Sequence, residues 1–218
     1  MAGKGITVTD ELIEYLLAHS LERTQVHRDL VTATNEAMGD RAIMQISPEQ
    51  GPFLTFLARL IGATEAIEVG TFTGLSALCL AEGLGDGGHL TCFDISDEYV
   101  AVGRPYWERA GVAGRIDVVI GPAAETLAAF TPARPVDLAF IDADKPGYAA
   151  YFELVFERMR PGGLIVFDNS LYSGAVLDPS DDENTRAIMA VNDAVAADAR
   201  VETVLLNVGD GLLMARKL

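Results

Sequence analysis

Asp142, Asp168 and Asn169 are three oxygen donors that each follow a short apolar run. VDLAFI precedes Asp142, and GLIVF precedes the Asp168-Asn169 pair. Runs of this kind read as buried strands of a parallel sheet, and neighbouring strand ends lie about 5 Å apart. Two carboxylates and an amide carbonyl are hard ligands, suited to Mg²⁺, Mn²⁺ or Ca²⁺ and unsuited to zinc. Magnesium takes about six ligands, so this set would leave about three positions for water or for substrate oxygens. Lys145 follows Asp142 by three residues and sets a proton-carrying group beside the donors. A single strand-end Asp or Asn usually just caps the next helix. The three together with Lys145 point to a catalytic metal site.

A second constellation closes the earlier apolar runs. The first ends in Glu68-Val69-Gly70-Thr71-Phe72-Thr73-Gly74-Leu75-Ser76. Gly70 and Gly74 let the backbone approach a ligand, and Ser76 stands where a helix N-terminus would favour a carboxylate or phosphate. Phe72 and Leu75 occupy the places where the dinucleotide fingerprint G-x-G-x-x-G needs glycine. By itself this segment could be only a tight strand–helix turn. Asp94 ends the second run, 24 residues after Gly70, and an acid there can hold both ribose hydroxyls of an adenosine. The third run ends in Gly121-Pro122-Ala123, small enough for a flat ring to lie against the backbone. Together these residues describe a nucleoside cofactor site.

The elements that must position these groups follow from the pattern of apolar residues. Asp10 is expected to cap a helix with Leu12, Ile13, Leu16 and Leu17 on one face. A second helix is expected over 25–38. Ser47-Pro48-Glu49-Gln50 reads as a capping box with proline at the first helical position, opening a helix through Phe53, Leu54, Leu57 and Leu60. No strand is expected before residue 63. From Ala66 onward short apolar runs alternate with helical stretches, which argues for a parallel sheet covered on both faces. The C-terminal RVETVLLNVGDGLLMARKL reads as two strands around Val208-Gly209-Asp210-Gly211, a hairpin adding one antiparallel strand. The chain is expected to be one domain over 1–218, with a helical part (1–62) and an α/β core (63–218). The segment 170–182, rich in Ser, Asp, Pro and Gly, is expected to be a long functional loop.

Composition narrows the partners. The chain has 218 residues with 16 Lys+Arg against 32 Asp+Glu, a net charge of −16. Affinity for nucleic acid comes mainly from Lys and Arg displacing counterions, so no nucleic-acid partner is expected. Cations and cationic cofactors suit such a surface. Cys79 and Cys92 form no CxxC pair, so neither a zinc knuckle nor a disulfide framework is indicated. The N-terminus lacks a signal-peptide pattern and no apolar stretch reaches 18 residues, so a cytoplasmic protein without a membrane span is expected. His19, His27 and His89 show no ligand or triad spacing, and no serine sits in a G-x-S-x-G elbow.

The runs MQISPEQGPFL (44–54), EVGTFTGLS (68–76), FIDADK (140–145), PGGLIVFDN (161–169) and GDGL (209–212) resemble the cation-dependent O-methyltransferases that use S-adenosylmethionine (SAM), the family of caffeoyl-CoA and catechol O-methyltransferases. The resemblance runs from about residue 10 to the end, and its specific part is the pair D-A-D-K and D-N. It implies a Rossmann-like class I methyltransferase fold with a seven-stranded, mostly parallel sheet, and a homodimer. It assigns the metal, Mg²⁺ foremost, to Asp142, Asp168 and Asn169. It assigns SAM contacts to Ile46 (main chain), Glu68, Gly70, Thr71, Ser76, Asp94, Ala123 and Asp142. Asp144 falls near the substrate, as does Ser173, where the plant enzymes have Asn, and Lys145 matches the base. The implied acceptor is a small vicinal aromatic diol such as a catechol, hydroxycinnamate or flavonoid. Ser173 and the absence of a matching N-terminal basic residue point away from a CoA ester. Two other readings stand beside this one: a NAD-dependent oxidoreductase on a similar sheet, and a non-catalytic SAM-binding module.

Overall fold

The computed structural model describes residues 6–178 and 181–218. The start of the leader and positions 179–180 of the expected loop lie outside the described residues. Helix α1 (Asp10–Ala18) is capped one residue earlier than the sequence suggests. Thr9 has the extended conformation a cap requires, and its hydroxyl accepts the Leu12 N–H at 3.3 Å. Asp10 is already helical and serves the dipole of the first turn instead. Helix α2 spans Gln25–Met38 as the spacing predicts, and a 3₁₀ turn follows at Gly39–Met44.

Helix α3 (Gln50–Leu60) starts later than the capping-box reading had it, so Pro48 lies in the turn before the helix. Only half of the box forms. Gln50 Oε1 accepts the Ser47 N–H at 2.6 Å, whereas Ser47 Oγ is buried without a partner.

The remaining elements are β1 (Glu65–Val69), α4 (Leu75–Gly83), β2 (His89–Asp94), α5 (Asp97–Arg109), β3 (Ile116–Ile120), α6 (Ala123–Ala129), β4 (Val136–Ile141), α7 (Tyr148–Arg158), β5 (Met159–Phe167), α8 (Glu183–Ala197), β6 (Val201–Leu206) and β7 (Leu212–Lys217). No strand precedes β1 among the described residues. Helix α8 is absent from the sequence pattern above. Its start is set by Asp182, whose carboxylate accepts the Thr185 N–H at 2.7 Å. The segment 170–182 is not structureless either. Tyr172–Leu177 coils into a 3₁₀ turn, pinned to the hairpin by Ser170 N–H to Gly211 O and Leu171 N–H to Asp210 O, both 2.9 Å.

The seven strands form one sheet in the order β3-β2-β1-β4-β5-β7-β6. Strands β1 to β5 are parallel, and β7 inserts antiparallel between β5 and β6. Residues alternate between the faces, as the pleat demands. Ala66, Leu90, Leu138 and Leu164 pack against Leu54 of α3 and Leu78 of α4. Ile67, Phe93, Ala139 and Ile165 pack against Phe152 of α7 and Ile188 of α8. Each buried Leu, Ile or Phe among them contributes about 1.5–3 kcal/mol of transfer free energy. The strand order reverses between β1 and β4, so the crevice for a ligand opens beyond their carboxyl ends. Both constellations of candidate residues converge there.

Candidate active site

Glu68 sits on β1 in register with Cys92 on one side and Phe140 on the other, facing the α3–α4 layer. An acid has replaced a core residue at this position, and it is fully buried. Burial pushes its carboxyl up to about 7. Both Glu68 oxygens and Thr71 Oγ1 are buried without a hydrogen-bond partner among the described residues. Unsatisfied buried oxygens each cost about 1–3 kcal/mol, which a bound polar ligand would offset. At Gly70 the backbone has φ +89°, and a side chain would run into the Asp142 carbonyl. Glycine there lets the ends of β1 and β4 pack backbone to backbone where the two strands part. Ser76 lies buried in the first turn of α4. Ala123 opens α6, and the buried Ile46 sits between the 3₁₀ turn and α3. These residues surround one end of the sheet and fit a nucleoside cofactor carrying a cationic centre.

Asp94 is more occupied than its sequence position suggests. Oδ2 accepts the N–H groups of Thr71 and Phe72 at 2.8 and 2.7 Å, and Oδ1 accepts Ser96 N–H at 2.8 Å. It braces the β1–α4 turn, in which Phe72 takes a positive φ of 51°. A carboxylate has about four acceptor positions, so room for a ribose hydroxyl remains on Oδ1.

The metal-type donors stand on the neighbouring strands. Ile141 pairs with Phe167, and Asp168 N–H bonds Ile141 O at 3.0 Å, so Asp142 and Asp168 leave the sheet side by side. Each carboxylate is anchored by one oxygen only. Asp142 Oδ1 accepts Lys145 Nζ at 3.0 Å, while Asp168 Oδ1 accepts Gln50 Nε2 at 2.8 Å and Asn169 N–H at 2.7 Å. The two Oδ2 atoms receive no hydrogen bond from the described residues. Burial raises both carboxyls above the usual range; Asp142 adds to the rise at Asp168, and Lys145 pulls Asp142 back. Asn169 takes φ +54°, and its Nδ2 points toward Asp210 Oδ2 at 3.5 Å, which turns the amide oxygen away from Asp210. Among the described residues no three His, Cys, Asp or Glu side chains cluster as a metal site. The donor set here is two acids and an amide. Two crowded acids and a carbonyl oxygen, with one ammonium between them, fit a dication.

Lys145 Nζ also donates to Tyr148 OH at 2.7 Å, and that hydroxyl donates to Asp168 O at 3.3 Å. Tyr148 is fully buried, and burial among the acids raises its hydroxyl well above the ordinary value. Asp144 is exposed and accepts Tyr151 OH at 2.5 Å. Ser173 is exposed, and its N–H donates to Asp210 Oδ1 at 2.5 Å. Gln50, Tyr148 and Asp210 were not singled out as site residues in the sequence. The S-P-E-Q box and the G-D-G turn carried two of them as local signals, and only the fold brings these two to Asp168 and Asn169. A cavity of about 520 Å³ opens between α2, α3 and α4, beside Arg23, His27, Arg59 and Glu82, but it holds none of the strand-end acids.

Comparison with known proteins decides among the readings. The O-methyltransferase family model matches residues 17–218. The chain belongs to the O-methyltransferase family. It is an enzyme of SAM-dependent methyl transfer to oxygen, and the nicotinamide alternative falls. It is 36% identical over 218 residues to "Probable caffeoyl-CoA O-methyltransferase 2" of Dictyostelium discoideum, covering 98% of this chain and 94% of the relative. The O-methyltransferase from Bacillus cereus solved in complex with SAH superposes with a TM-score of 0.87 at 31% identity, over 94% of this chain and 96% of that one. The O-methyltransferase TomG of Streptomyces achromogenes, solved in complex with SAM, gives 0.86 at 27% identity, over 95% and 96%. No helix of the described residues of this O-methyltransferase is long and apolar enough to cross a membrane.

Proposed function

We propose that this O-methyltransferase moves the SAM methyl group to one hydroxyl of a vicinal aromatic diol, such as a catechol, hydroxycinnamate or flavonoid, and that it requires a divalent cation, Mg²⁺ foremost. The observation that carries this reading is the pair of unengaged Oδ2 atoms on Asp142 and Asp168, beside Asn169 and within reach of Lys145. A cation held by these three residues would favour the deprotonated form of a neighbouring hydroxyl. Two adjacent hydroxyls on the acceptor suit such a site, one for transfer and one for anchoring. The caffeoyl group in the relative's name is itself a vicinal diol.

The chain's own residues supply the rest. Glu68, Thr71, Ser76, Asp94, Ala123 and the main chain at Ile46 hold the donor at the ends of the first three strands. Gly70 lets the end of β1 lie against the Asp142 backbone, which brings the donor side of the crevice next to the side where transfer would take place. Lys145 Nζ, tethered by Asp142 Oδ1 and Tyr148 OH, takes the acceptor's proton in its unprotonated form. Most of the rate then comes from holding oxygen and methyl in line. Asp144 and Ser173 lie at the exposed rim, where the ring of the acceptor would rest.

The protein is read as a homodimer. Ile6, Val8 and Tyr15 are 71%, 51% and 60% exposed, and no residue of α1 is buried, which leaves an apolar face for a second copy. Two buried, unpaired cysteines accord with a reducing, cytoplasmic setting. The deciding experiment is S-adenosylhomocysteine formation with Mg²⁺ from catechol and from phenol. Turnover confined to catechol supports the reading, and equal rates overturn it.

A further inference from the structure

Two sequence features play no part in the mechanism above, the Ser47–Gln50 box and the Gly209-Asp210-Gly211 turn. The fold brings them together against Asp168. Gln50 is only 2% exposed, and its amide is engaged at both ends. Oε1 accepts the Ser47 N–H at 2.6 Å, and Nε2 donates to Asp168 Oδ1 at 2.8 Å. These partners fix the amide's orientation, because the flipped form would set donor against donor and oxygen against carboxylate. Asp168 Oδ1 also receives the Asn169 N–H, so this oxygen is used twice and Oδ2 is left bare. The hairpin turn closes the arrangement from outside. Glu49 Oε1 accepts the Gly209 N–H at 3.1 Å, and a side chain at Gly209 would collide with the Gln50 amide and the Ser47 hydroxyl.

We infer that Gln50 is a positioning residue for the cation-binding carboxylate. It pins Oδ1 of Asp168 so that Oδ2 faces the cation, and it ties that ligand to the Ile46–Ser47 segment beside the donor. This inference rests on the cation-dependent reading above. Carboxylates that bind metals are aimed by the groups that hydrogen-bond them, and losing such a partner typically costs about 10–100-fold in metal affinity or activity. A glutamine that served only the stability of α3 would leave the affinity of the folded protein unchanged.

The test uses the full chain with Gln50→Leu, and with Gln50→Met, which keeps length without hydrogen bonds should the first variant fail to fold. Mn²⁺ binding is titrated by the loss of free-ion paramagnetic resonance signal, with SAM affinity and thermal midpoint measured alongside. The expected result is a folded variant whose Mn²⁺ dissociation constant is raised about 10–100-fold. Its turnover should be low at limiting Mg²⁺ and recover as Mg²⁺ is raised. A folded variant that binds Mn²⁺ as tightly as wild type overturns the role of Gln50 and leaves the cation reading standing. A wild-type protein that binds no Mn²⁺ overturns both.

Discussion

The ammonium of Lys145 donates to Oδ1 of Asp142 across 3.0 Å, with its next hydrogen bond spent on the Tyr148 hydroxyl at 2.7 Å. Its side chain is only 15% exposed, so it is held at the crevice and does not sweep through solvent. This placement suits two roles, balancing the charge of Asp142 and taking a proton, and substitution separates them. Lys145→Arg keeps the charge beside Asp142 but removes a group able to lose its proton. Lys145→Met removes both. If Lys145 is the base, turnover at pH 7 falls about 10²–10⁴-fold in both variants while SAM binding persists. Much of it returns at high pH, where the diol ionises unaided. Near-normal turnover in Lys145→Arg would reduce the residue to a counter-charge.

Asp94→Ala should damage the protein twice. The turn at Thr71 and Phe72 loses the acceptor of two N–H groups, and in the proposed reading the ribose loses a charged partner. Hydrogen bonds to a charged group contribute about 1.5–3 kcal/mol each, so SAM affinity by calorimetry should fall at least tenfold and the thermal midpoint should drop with it. Asp94→Asn, which keeps an oxygen for the turn, should recover more of the midpoint than of the affinity. Unchanged SAM affinity in both variants would place the nucleoside elsewhere.

Glu68 predicts a pH dependence with a definite sign. Its carboxyl is raised from 4.5 to about 7 by burial, so the folded, ligand-free protein holds that proton more tightly than the unfolded chain. Stability from this residue is therefore complete below about pH 4.5 and is lost as pH rises toward 7, levelling above it. The full loss is on the order of 3 kcal/mol. Glu68→Gln is free of this loss, so its thermal midpoint should pull above wild type between pH 5 and 7, by several degrees. The same variant should bind the cationic donor more weakly. Parallel stability curves for the two proteins would show that Glu68 keeps its charge in the fold.

Much of this site was legible before any coordinates, because the period of the apolar runs marks strand ends and an α/β sheet places its ligands there. Asp142, Asp168 and Asn169 could be grouped from that rule alone. Gln50 could not, since it lies 118 residues from Asp168 and its local signature, a capping box, explains it as a helix start. Thr9 took the cap from Asp10 because backbone conformation, which composition does not reveal, decides which of two adjacent polar residues accepts. Helix α8 was missed for a related reason. Asp182 ends a stretch rich in Ser, Asp and Pro, and the cap it forms with Thr185 reads from sequence as more loop. Asp94 shows the opposite case, in which position was read correctly while the demand of the turn on the same oxygens was invisible.

The cofactor and cation sites should come apart under chelation. In the proposed reading the donor would be held from the ends of β1, β2 and β3, through Glu68, Ser76, Asp94 and Ala123. The cation would be held from β4 and β5, where Asp168 Oδ2 and the Asn169 amide oxygen are free of partners among the described residues. Treatment with EDTA, or Asn169→Ala, should therefore abolish methyl transfer while SAM affinity by calorimetry stays within a few-fold of wild type. Asp168→Ala should do the same and also strand the Gln50 amide, so its thermal midpoint should fall further than that of Asn169→Ala. Asp142 is a poor probe, because it borders both sites and anchors Lys145. Activity lost to EDTA should return with Mg²⁺ or Mn²⁺, since the ligands are all oxygen and positions remain open. Full turnover in a preparation verified to be metal-free would sink cation dependence, and Asp142 and Asp168 would then be anchors for Lys145 and Gln50 within an enzyme that activates its acceptor by the base alone.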